Sequence, residues 1–316
     1  MPLILALALF VGGAALAIWS TELLIQGLVG LALLLRVSAF AVGAVFSGLE
    51  VENIAVGLAA GHQEAASIAL GTVFGGAVFL VCVALGLGAL LFPLQVRLPR
   101  GFIVLFALSP LASGIVLFAP VTPRLGGAAL LLLFAVGLLY LVRASRGREF
   151  LESEEVDEAL EEVQEKRRPL SVVLTTTLFG LVAIGVAGEM VARGAVGLIA
   201  GLGVPALVMG MVISPAAVEI EEVFRQAVPS HEGRHDVSAG NLVGTMLYFV
   251  LFNLGLIALL TPVRVAPVVR ALDWPFLVGA TWLAAAFLLR GKVGRGAGVL
   301  LLTLYAIFVV LQIAFA

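Results

Sequence analysis

The chain has 316 residues, of which 62% are hydrophobic and only 12% are charged, and its mean hydropathy is +1.18. Soluble globular chains carry about twice this share of charged residues, so the composition excludes a soluble protein. The net charge of -2 averages over a very uneven distribution. Apolar runs of about twenty residues or more can cross a bilayer core of about 30 Å, which predicts a polytopic membrane protein with the lipid bilayer as its partner.

Ten apolar runs separated by polar breaks predict ten membrane-spanning helices. The first run starts at the N-terminus without a basic segment and merges into a longer span, so we interpret it as a membrane helix and not as a cleaved signal. The single cysteine, Cys82, has no disulfide partner. The predicted spans are 2–35, 38–61, 66–93, 101–120 and 125–142, followed by 170–202, 205–228, 237–262, 273–290 and 296–315.

Residues 143–169 lie between the two sets of five spans and carry nine acidic residues with basic residues at both ends. Their apolar positions predict a short amphipathic helix outside the bilayer. We interpret this segment as a solvated linker, with a regulatory or ion-attracting element as the alternative. The chain is thereby divided into a first five-helix repeat at 1–142, the linker, and a second five-helix repeat at 170–316.

The placement of lysine and arginine predicts the orientation, because cytoplasmic loops are enriched in these residues. With the linker in the cytoplasm, fourteen such residues fall on that side, among them Arg225. Three fall on the other side: Arg124, Arg264 and Arg270. We therefore expect a multi-pass protein of the cell (plasma) membrane with a cytoplasmic linker and both termini outside.

The two halves share an internal repeat at an offset of 169 residues. The register holds for acids, glycines and a proline, pairing Glu50 with Glu219, Glu52 with Glu221, Gly71 with Gly240, Gly75 with Gly244, Gly86 with Gly255, and Pro93 with Pro262. Because each half has five spans, an odd number, the second half enters the membrane from the opposite side. Inverted repeats of this kind are typical of secondary transporters, whose sites lie at the midplane between the repeats.

Carboxylates inside membrane spans cost roughly 2.5–3.5 kcal/mol each on insertion scales and are usually functional. On a helix, Glu50 and Asn53 share a face, as do Glu219 and Glu222. These four side chains can converge on the axis between the repeats. Their oxygen atoms suit Ca²⁺, Mg²⁺, Na⁺ or protons.

Four more acids could line an access path or form a proton or Na⁺ relay, namely Glu52, Glu221, Glu22 and Glu189. A purely structural role for buried acids would require ion pairs with buried bases. The only base that we assign to a span is Arg193, which lies near Glu189.

Glycines follow both acidic patches, at positions 71, 75 and 76 and at 240 and 244. At each single glycine we expect close helix packing. Their recurrence in both halves also predicts a helix break near the site that exposes backbone oxygens.

These patterns resemble the calcium/cation antiporter superfamily, which includes the sodium/calcium and proton/calcium exchangers. Its members have two repeats, each with a G-T-S-x-P-E segment followed by a G-N-x-x-G-S segment. The second motif is matched by Gly240-Asn241-Leu242-Val243-Gly244-Thr245 and partly by Gly71-Thr72-Val73-Phe74-Gly75-Gly76, whereas the first is absent from both copies. The resemblance covers both halves and implies a divergent branch with an all-α membrane fold of ten transmembrane helices in two inverted repeats.

The family's spacing suggests which residues replace its conserved glutamates. In the family, the G-N-x-x-G-S segment begins eighteen residues after the glutamate. Counting back eighteen residues from Gly240 reaches Glu222, and the same count from Gly71 reaches Asn53. A shift of one residue would instead place Glu52 and Glu221 at these positions. Both registers stay open.

We therefore predict that the protein is a secondary active antiporter and not an enzyme. It would exchange a divalent cation, with Ca²⁺ as the first candidate, for Na⁺ or H⁺ by alternating access. We expect no cofactor besides the transported metal cations and no nucleic acid as a partner. The alternatives are a cation channel or passive leak, an exchanger of Mg²⁺ or of Na⁺ and H⁺, and a non-transporting scaffold. The predicted metal ligands are Glu50, Asn53, Glu219, Glu222, Asn241 and Thr245.

Overall fold

The computed structural model describes residues 1–34, 49–63, 65–144 and 169–315, and these ranges are almost entirely helical. In chain order the elements are α1 (Leu3–Leu34), α2 (Val51–His62), α3 (Ala66–Leu91), β1 (Leu94–Gln95), α4 (Arg100–Leu117), α5 (Arg124–Ala144), α6 (Leu170–Leu202), α7 (Ala206–Val218), α8 (Ile220–His231), α9 (His235–Leu260), α10 (Val269–Leu289), β2 (Lys292–Val293) and α11 (Arg295–Ala314). Eight helices in these ranges are long and apolar enough to cross a membrane, all except α2, α7 and α8.

The eight long helices correspond to eight of the ten predicted spans. The span predicted at 205–228 is instead two helices, α7 and α8, which meet at Glu219. Of the span predicted at 38–61, the structure describes the part from Leu49 onward. The acidic segment 143–169 and its predicted amphipathic helix lie outside the described residues, apart from the two ends of the segment.

The core of the molecule is built around α3 and α9, which occupy matching places in the two repeats. The most apolar part of α3 is wholly buried and that of α9 is largely buried, whereas a third or less of the corresponding part of α1, α6 and α11 is buried. Both central helices contain a π-helical turn at the same repeat position, Leu80–Ala84 in α3 and Tyr248–Asn253 in α9. The internal repeat seen in the sequence is therefore also a repeat of local structure.

Glycines let the two repeats interlock. A Cβ atom on Gly127 of α5 would lie 2.6 Å from the carbonyl oxygen of Gly255 in α9, and one on Gly298 of α11 would lie 2.6 Å from that of Gly86 in α3. Gly86 and Gly255 are equivalent in the repeat. Since no hydrophobic effect drives helices together in lipid, this close backbone approach supplies the packing that holds the last helix of each repeat against the other repeat.

Two backbone pairings outside the helices also join each repeat to the other. β1 pairs antiparallel with β2, joining Leu94 to Val293 and Gln95 to Lys292. In the other half, Val121 and Arg264 form an antiparallel bridge. In both cases the segment after a central helix pairs with the segment before the last helix of the other repeat.

Helices α1 and α6 form a pair at the side of this core. Their backbones approach at glycines, since a Cβ on Gly180 would lie 2.8 Å from Cα of Leu24, and one on Gly194 would lie 2.5 Å from the backbone nitrogen of Phe10. Gly188 of α6 packs against the backbone of Ala55 in α2. This contact joins the α1–α6 pair to the helix that follows Glu50.

Candidate functional site

In the described part of the site, helices begin or end at the acids and not at the glycines. α7 ends at Val218 and α8 begins at Ile220, with Glu219 between them at φ -88° and ψ 8°. Glu50 likewise directly precedes α2, at φ -98° and ψ 69°. The two acids therefore stand at the N-terminal ends of short helices, where backbone N–H groups give a positive end to the helix dipole.

This arrangement corrects two predictions. Glu50 lies before the first turn of α2, so it does not share a helical face with Asn53 in the way we expected, although the two side chains do meet. Gly71, Gly75 and Gly76 lie inside unbroken helix, and their role is close packing. A Cβ on Gly71 would lie 2.0 Å from the carbonyl oxygen of Gly210 in α7.

All six predicted metal ligands are buried. Glu50, Asn53, Glu219, Glu222 and Thr245 have no exposed surface, and Asn241 is 5% exposed. Burying carboxylates in a membrane protein is costly unless they meet a counter-charge or hydrogen-bond donors. Their partners therefore indicate what the site does.

The main counter-charge is Arg225, one turn beyond Glu222 on α8. Its Nη1 donates to Glu222 Oε1 at 2.7 Å and to Glu50 Oε1 at 3.0 Å, and its Nη2 lies 3.0 Å from Glu221 Oε1. The carboxylates of the two repeats are thus joined through one guanidinium. The sequence places Arg225 among the basic residues of the cytoplasmic side and leaves these buried acids without a basic partner. The structure corrects this, because Arg225 lies in α8 and pairs with them.

Side-chain amides complete the contacts of the paired carboxylates. Asn53 Nδ2 donates to Glu50 Oε2 at 3.2 Å, and Asn241 Nδ2 donates to Glu222 Oε2 at 3.4 Å. Asn253, which the sequence analysis missed, donates from Nδ2 to the carbonyl oxygen of Glu50 at 3.5 Å. Its position offers no repeat signal, because the equivalent residue is Ala84.

Several buried oxygen atoms of the site have no hydrogen-bond partner among the described residues. They are both carboxylate oxygens of Glu219, Oδ1 of Asn53 and Oγ1 of Thr245. A Cβ on Gly76 would lie 3.4 Å from Glu219 Oε1, which places this carboxylate against α3. Such oxygens are suitable ligands for a hard cation.

The described ranges contain no group of three His, Cys, Asp or Glu side chains already arranged to hold a metal ion. The position of Arg225 gives a physical reason, because its guanidinium stands between the carboxylates of Glu50 and Glu222. A metal bound to both would require a rearrangement of this contact.

The four further acids are distributed unevenly. Glu52 is buried and accepts a hydrogen bond from Thr21 of α1 at 2.8 Å, and Glu221 pairs with Arg225. Glu22 is exposed on α1, and Glu189 pairs with Arg193 on the exposed side of α6, as its position near that base predicted. Glu22 and Glu189 therefore lie apart from the buried cluster.

The contacts do not separate the two registers left open by the sequence. Asn53 donates to Glu50, and Glu222 accepts from Arg225. Glu221 also lies 3.0 Å from Arg225, and Glu52 is buried beside Thr21. Both registers therefore stay open.

Known proteins resemble this chain in sequence and in fold. A model of the sodium/calcium exchanger protein family matches residues 5–143 and 172–314. Inner membrane protein YrbG of Escherichia coli is 27% identical over 307 residues, which cover 95% of this chain and 94% of the relative. CaxA of Alkalimonas amylolytica, whose name describes an antiporter, is 28% identical over 144 residues, or 45% of each chain.

Solved structures of the sodium-calcium exchanger NCX_Mj share the fold. One, soaked with zero Na⁺ and Ca²⁺, superposes with a TM-score of 0.61 at 21% identity and covers 96% of this chain and 97% of that one. Another, soaked with 10 mM Na⁺ and zero Ca²⁺, gives a TM-score of 0.58 at 23% identity, with 96% and 98% covered. At this identity the likeness establishes the architecture alone.

Proposed function

This chain belongs to the sodium/calcium exchanger protein family, and we propose that it is a secondary active antiporter. It exchanges a divalent cation, with Ca²⁺ as the first candidate, for Na⁺ or H⁺. It is a carrier in this proposal and not an enzyme. Its ligands are the transported cations, and no cofactor takes part.

One observation carries the proposal. The Oε1 atoms of Glu50, from the first repeat, and Glu222, from the second, both accept from Nη1 of Arg225. Carboxylates from both repeats therefore converge at one buried point, as a site between two repeats requires. Hard oxygen ligands at such a point suit Ca²⁺, Mg²⁺ or Na⁺.

The proposed ligands are the carboxylates of Glu50, Glu219 and Glu222 and the amide oxygen of Asn53, with Asn241 and Thr245 as further polar contacts. The buried oxygens without a hydrogen-bond partner among the described residues, on Glu219, Asn53 and Thr245, support this assignment. Glu52 and Glu221 would line the path to the site, or relay protons or Na⁺.

Alternating access would arise from movement of the α1–α6 pair against the remaining helices. These two helices pack chiefly on each other and reach the core through α2 and, to a smaller extent, α7. A pair with this limited attachment can shift as a unit with less repacking than a central helix such as α3, which is buried on all sides.

Ten spans in two inverted repeats, with a cytoplasmic linker and both termini outside the cell membrane, form the topological part of the proposal. It is supported by the odd number of predicted spans per half and by the excess of lysine and arginine on one side. The likeness to an inner membrane protein of Escherichia coli agrees with a cell-membrane location.

The test uses the purified full chain in liposomes loaded with a Ca²⁺-sensitive dye, and in a parallel set with a Mg²⁺-sensitive dye. A Na⁺ gradient and a pH gradient are imposed separately. Antiport predicts cation flux driven uphill by at least one of the two gradients. Flux that ignores both gradients would indicate a channel or leak and would overturn the proposal.

The Glu222→Gln variant tests the site in the same assay. Glu232→Gln is the matched control, because Glu232 is an exposed acid just past the end of α8. We expect Glu222→Gln to abolish gradient-driven flux and Glu232→Gln to retain it. Equal flux in the two variants would contradict the site assignment.

A further inference from the structure

Arg225 brings a permanent positive charge into the acidic site. An arginine guanidinium stays protonated at every physiological pH and presents donors in a planar fork that matches carboxylates. Here the fork is engaged on both arms, with Nη1 shared by Glu50 and Glu222 and Nη2 beside Glu221. These contacts join the N-terminal ends of α2 and α8, which belong to different repeats.

The position of Nη1 coincides with the place that a metal ion would take between the same two carboxylates. It lies 3.0 Å from Glu50 Oε1 and 2.7 Å from Glu222 Oε1. Calcium binds carboxylate oxygens at about 2.3–2.6 Å, so an ion bridging these two atoms needs the volume that the guanidinium fills. The guanidinium and a metal ion cannot occupy this volume together, because two positive charges at so short a distance repel each other strongly.

The arginine has room to withdraw. Its side chain is 13% exposed, whereas those of Glu50 and Glu222 are fully buried. A flexible three-carbon stem lets the charged head move toward water while the stem stays packed. The carboxylates, held at the ends of short helices, do not have this freedom.

Within the residues that the structure describes, only the second repeat supplies this charge. The residue equivalent to Arg225 in the first repeat is Val56, which is fully buried. The two halves of the site therefore differ in a feature that bears directly on cation binding.

We propose that Arg225 is a tethered cation that competes with the transported ion for Glu50 and Glu222 and thereby lowers the affinity of the site. This inference rests on the proposed function. When the ion leaves, the guanidinium returns and compensates the buried carboxylates. Arg225 is thus a residue that sets affinity, and it does not ligate the ion.

The expected size of the effect follows from competition. A guanidinium that occupies the carboxylates for about nine-tenths of the time weakens the apparent affinity about tenfold, because only the remaining fraction is competent to bind. Removing the charge in Arg225→Gln should therefore tighten cation binding about tenfold. Arg225→Lys keeps a charge but loses the fork, so it should give an intermediate affinity.

The test measures binding of Ca²⁺, Mg²⁺ and Na⁺ to the purified full chain by isothermal titration calorimetry at one pH. Arg193→Gln is the matched control, because Arg193 forms an exposed ion pair with Glu189 on α6. Tighter binding of at least one cation by Arg225→Gln, with Arg193→Gln equal to the wild type, is the expected result. Unchanged or weaker binding of all three cations by a folded Arg225→Gln overturns the inference.

Arg225→Lys keeps the test decisive if Arg225→Gln fails to fold, since its affinity should still exceed that of the wild type. An Arg225→Lys affinity equal to the wild type would then overturn the inference. The function is judged separately, by wild-type transport in liposomes. If the wild type exchanges cations but the variants do not bind them more tightly, only the role of Arg225 is overturned. If the variants bind more tightly but the wild type does not exchange cations, the antiport proposal is overturned.

Discussion

Glu50 Oε1 and Glu222 Oε1, which belong to different repeats, accept from the same Nη1 atom of Arg225. This shared donor divides the buried acids into two classes. Glu50 and Glu222 share a partner with a permanent positive charge, whereas neither oxygen of Glu219 has a hydrogen-bond partner among the described residues. The two classes should respond differently to loss of charge.

The variants Glu50→Gln and Glu219→Gln should both lose transport but differ in stability. Each removes a proposed ligand, so we expect cation flux to fall at least about 100-fold in both, more than is typical for loss of a supporting contact. Glu50→Gln also removes a charged partner of Arg225, at a cost of about 1.5–3 kcal/mol. Glu219→Gln relieves a buried charge that has no such partner and should keep or raise the melting temperature.

Thermal unfolding in detergent, followed by the fluorescence of the native tryptophans, checks the difference in stability. The exposed Glu232→Gln serves as the control for both assays. A melting temperature that falls equally in Glu50→Gln and Glu219→Gln would contradict the division of the acids into two classes.

Asn53→Asp should change ion choice. Asn53 and Glu222 occupy equivalent positions in the repeat, so the substitution adds a carboxylate where the first repeat has an amide. Asn53 also donates to Glu50 Oε2 at 3.2 Å, and a carboxylate would replace this bond with repulsion. We expect the preference for divalent cations over Na⁺ to increase about tenfold or more, since ligand charge is a main determinant of Ca²⁺ affinity.

Competition between Ca²⁺ and Na⁺ for binding in detergent measures this preference. The conservative change Asn53→Gln, which keeps the amide, is the control for altered packing. If Asn53→Asp and Asn53→Gln shift the preference to the same extent, charge at this position does not decide ion choice.

Gly75→Ala should lower the stability of the protein more than Gly244→Ala, although the two positions are equivalent in the repeat. A Cβ on Gly75 would lie 2.5 Å from the carbonyl oxygen of Met211 and 2.6 Å from Cγ of Pro215, both in α7. A Cβ on Gly244 meets nothing within 4 Å in the described part of the chain. Overpacking of this kind costs about 1–3 kcal/mol.

We therefore expect a melting temperature lower by several degrees in Gly75→Ala and nearly unchanged in Gly244→Ala. Circular dichroism in detergent follows the loss of helix with temperature. Equal melting temperatures for both variants would mean that α3 and α7 are not in the close contact that the structure shows.

Single cysteines at Arg264→Cys and Lys292→Cys test the inverted topology. The background is Cys82→Ala, which removes the one native thiol, a fully buried group. Arg264 lies in the bridge to Val121 and Lys292 lies in β2, and the proposed topology places these two pairings on opposite sides of the membrane.

In intact cells, an impermeant maleimide should label Arg264→Cys and should reach Lys292→Cys only after the membrane is opened. The unmodified chain, with Cys82 alone, is the control and should stay unlabelled under both conditions. Labelling of both sites from outside would contradict the inverted arrangement.

Much of the architecture could be predicted because it depends on local composition. The long helices follow from apolar runs that a membrane requires, and the repeat follows from acids and glycines in fixed register. The buried state of Glu50, Asn53, Glu219 and Glu222 also follows, since all four lie within such runs. The sequence by itself therefore determined the fold class, the family and most of the candidate site.

The tertiary structure decided the partners of the acids. By sequence, Arg225 counts with the basic residues of the cytoplasmic side, although it falls in the span predicted at 205–228. Only the packing of α8 against Glu50 shows that its side chain points into the site. Asn253 likewise reaches Glu50 from a helix far along the chain. Such contacts depend on which breaks and side chains meet across the two repeats, and neither hydropathy nor helical periodicity contains that information.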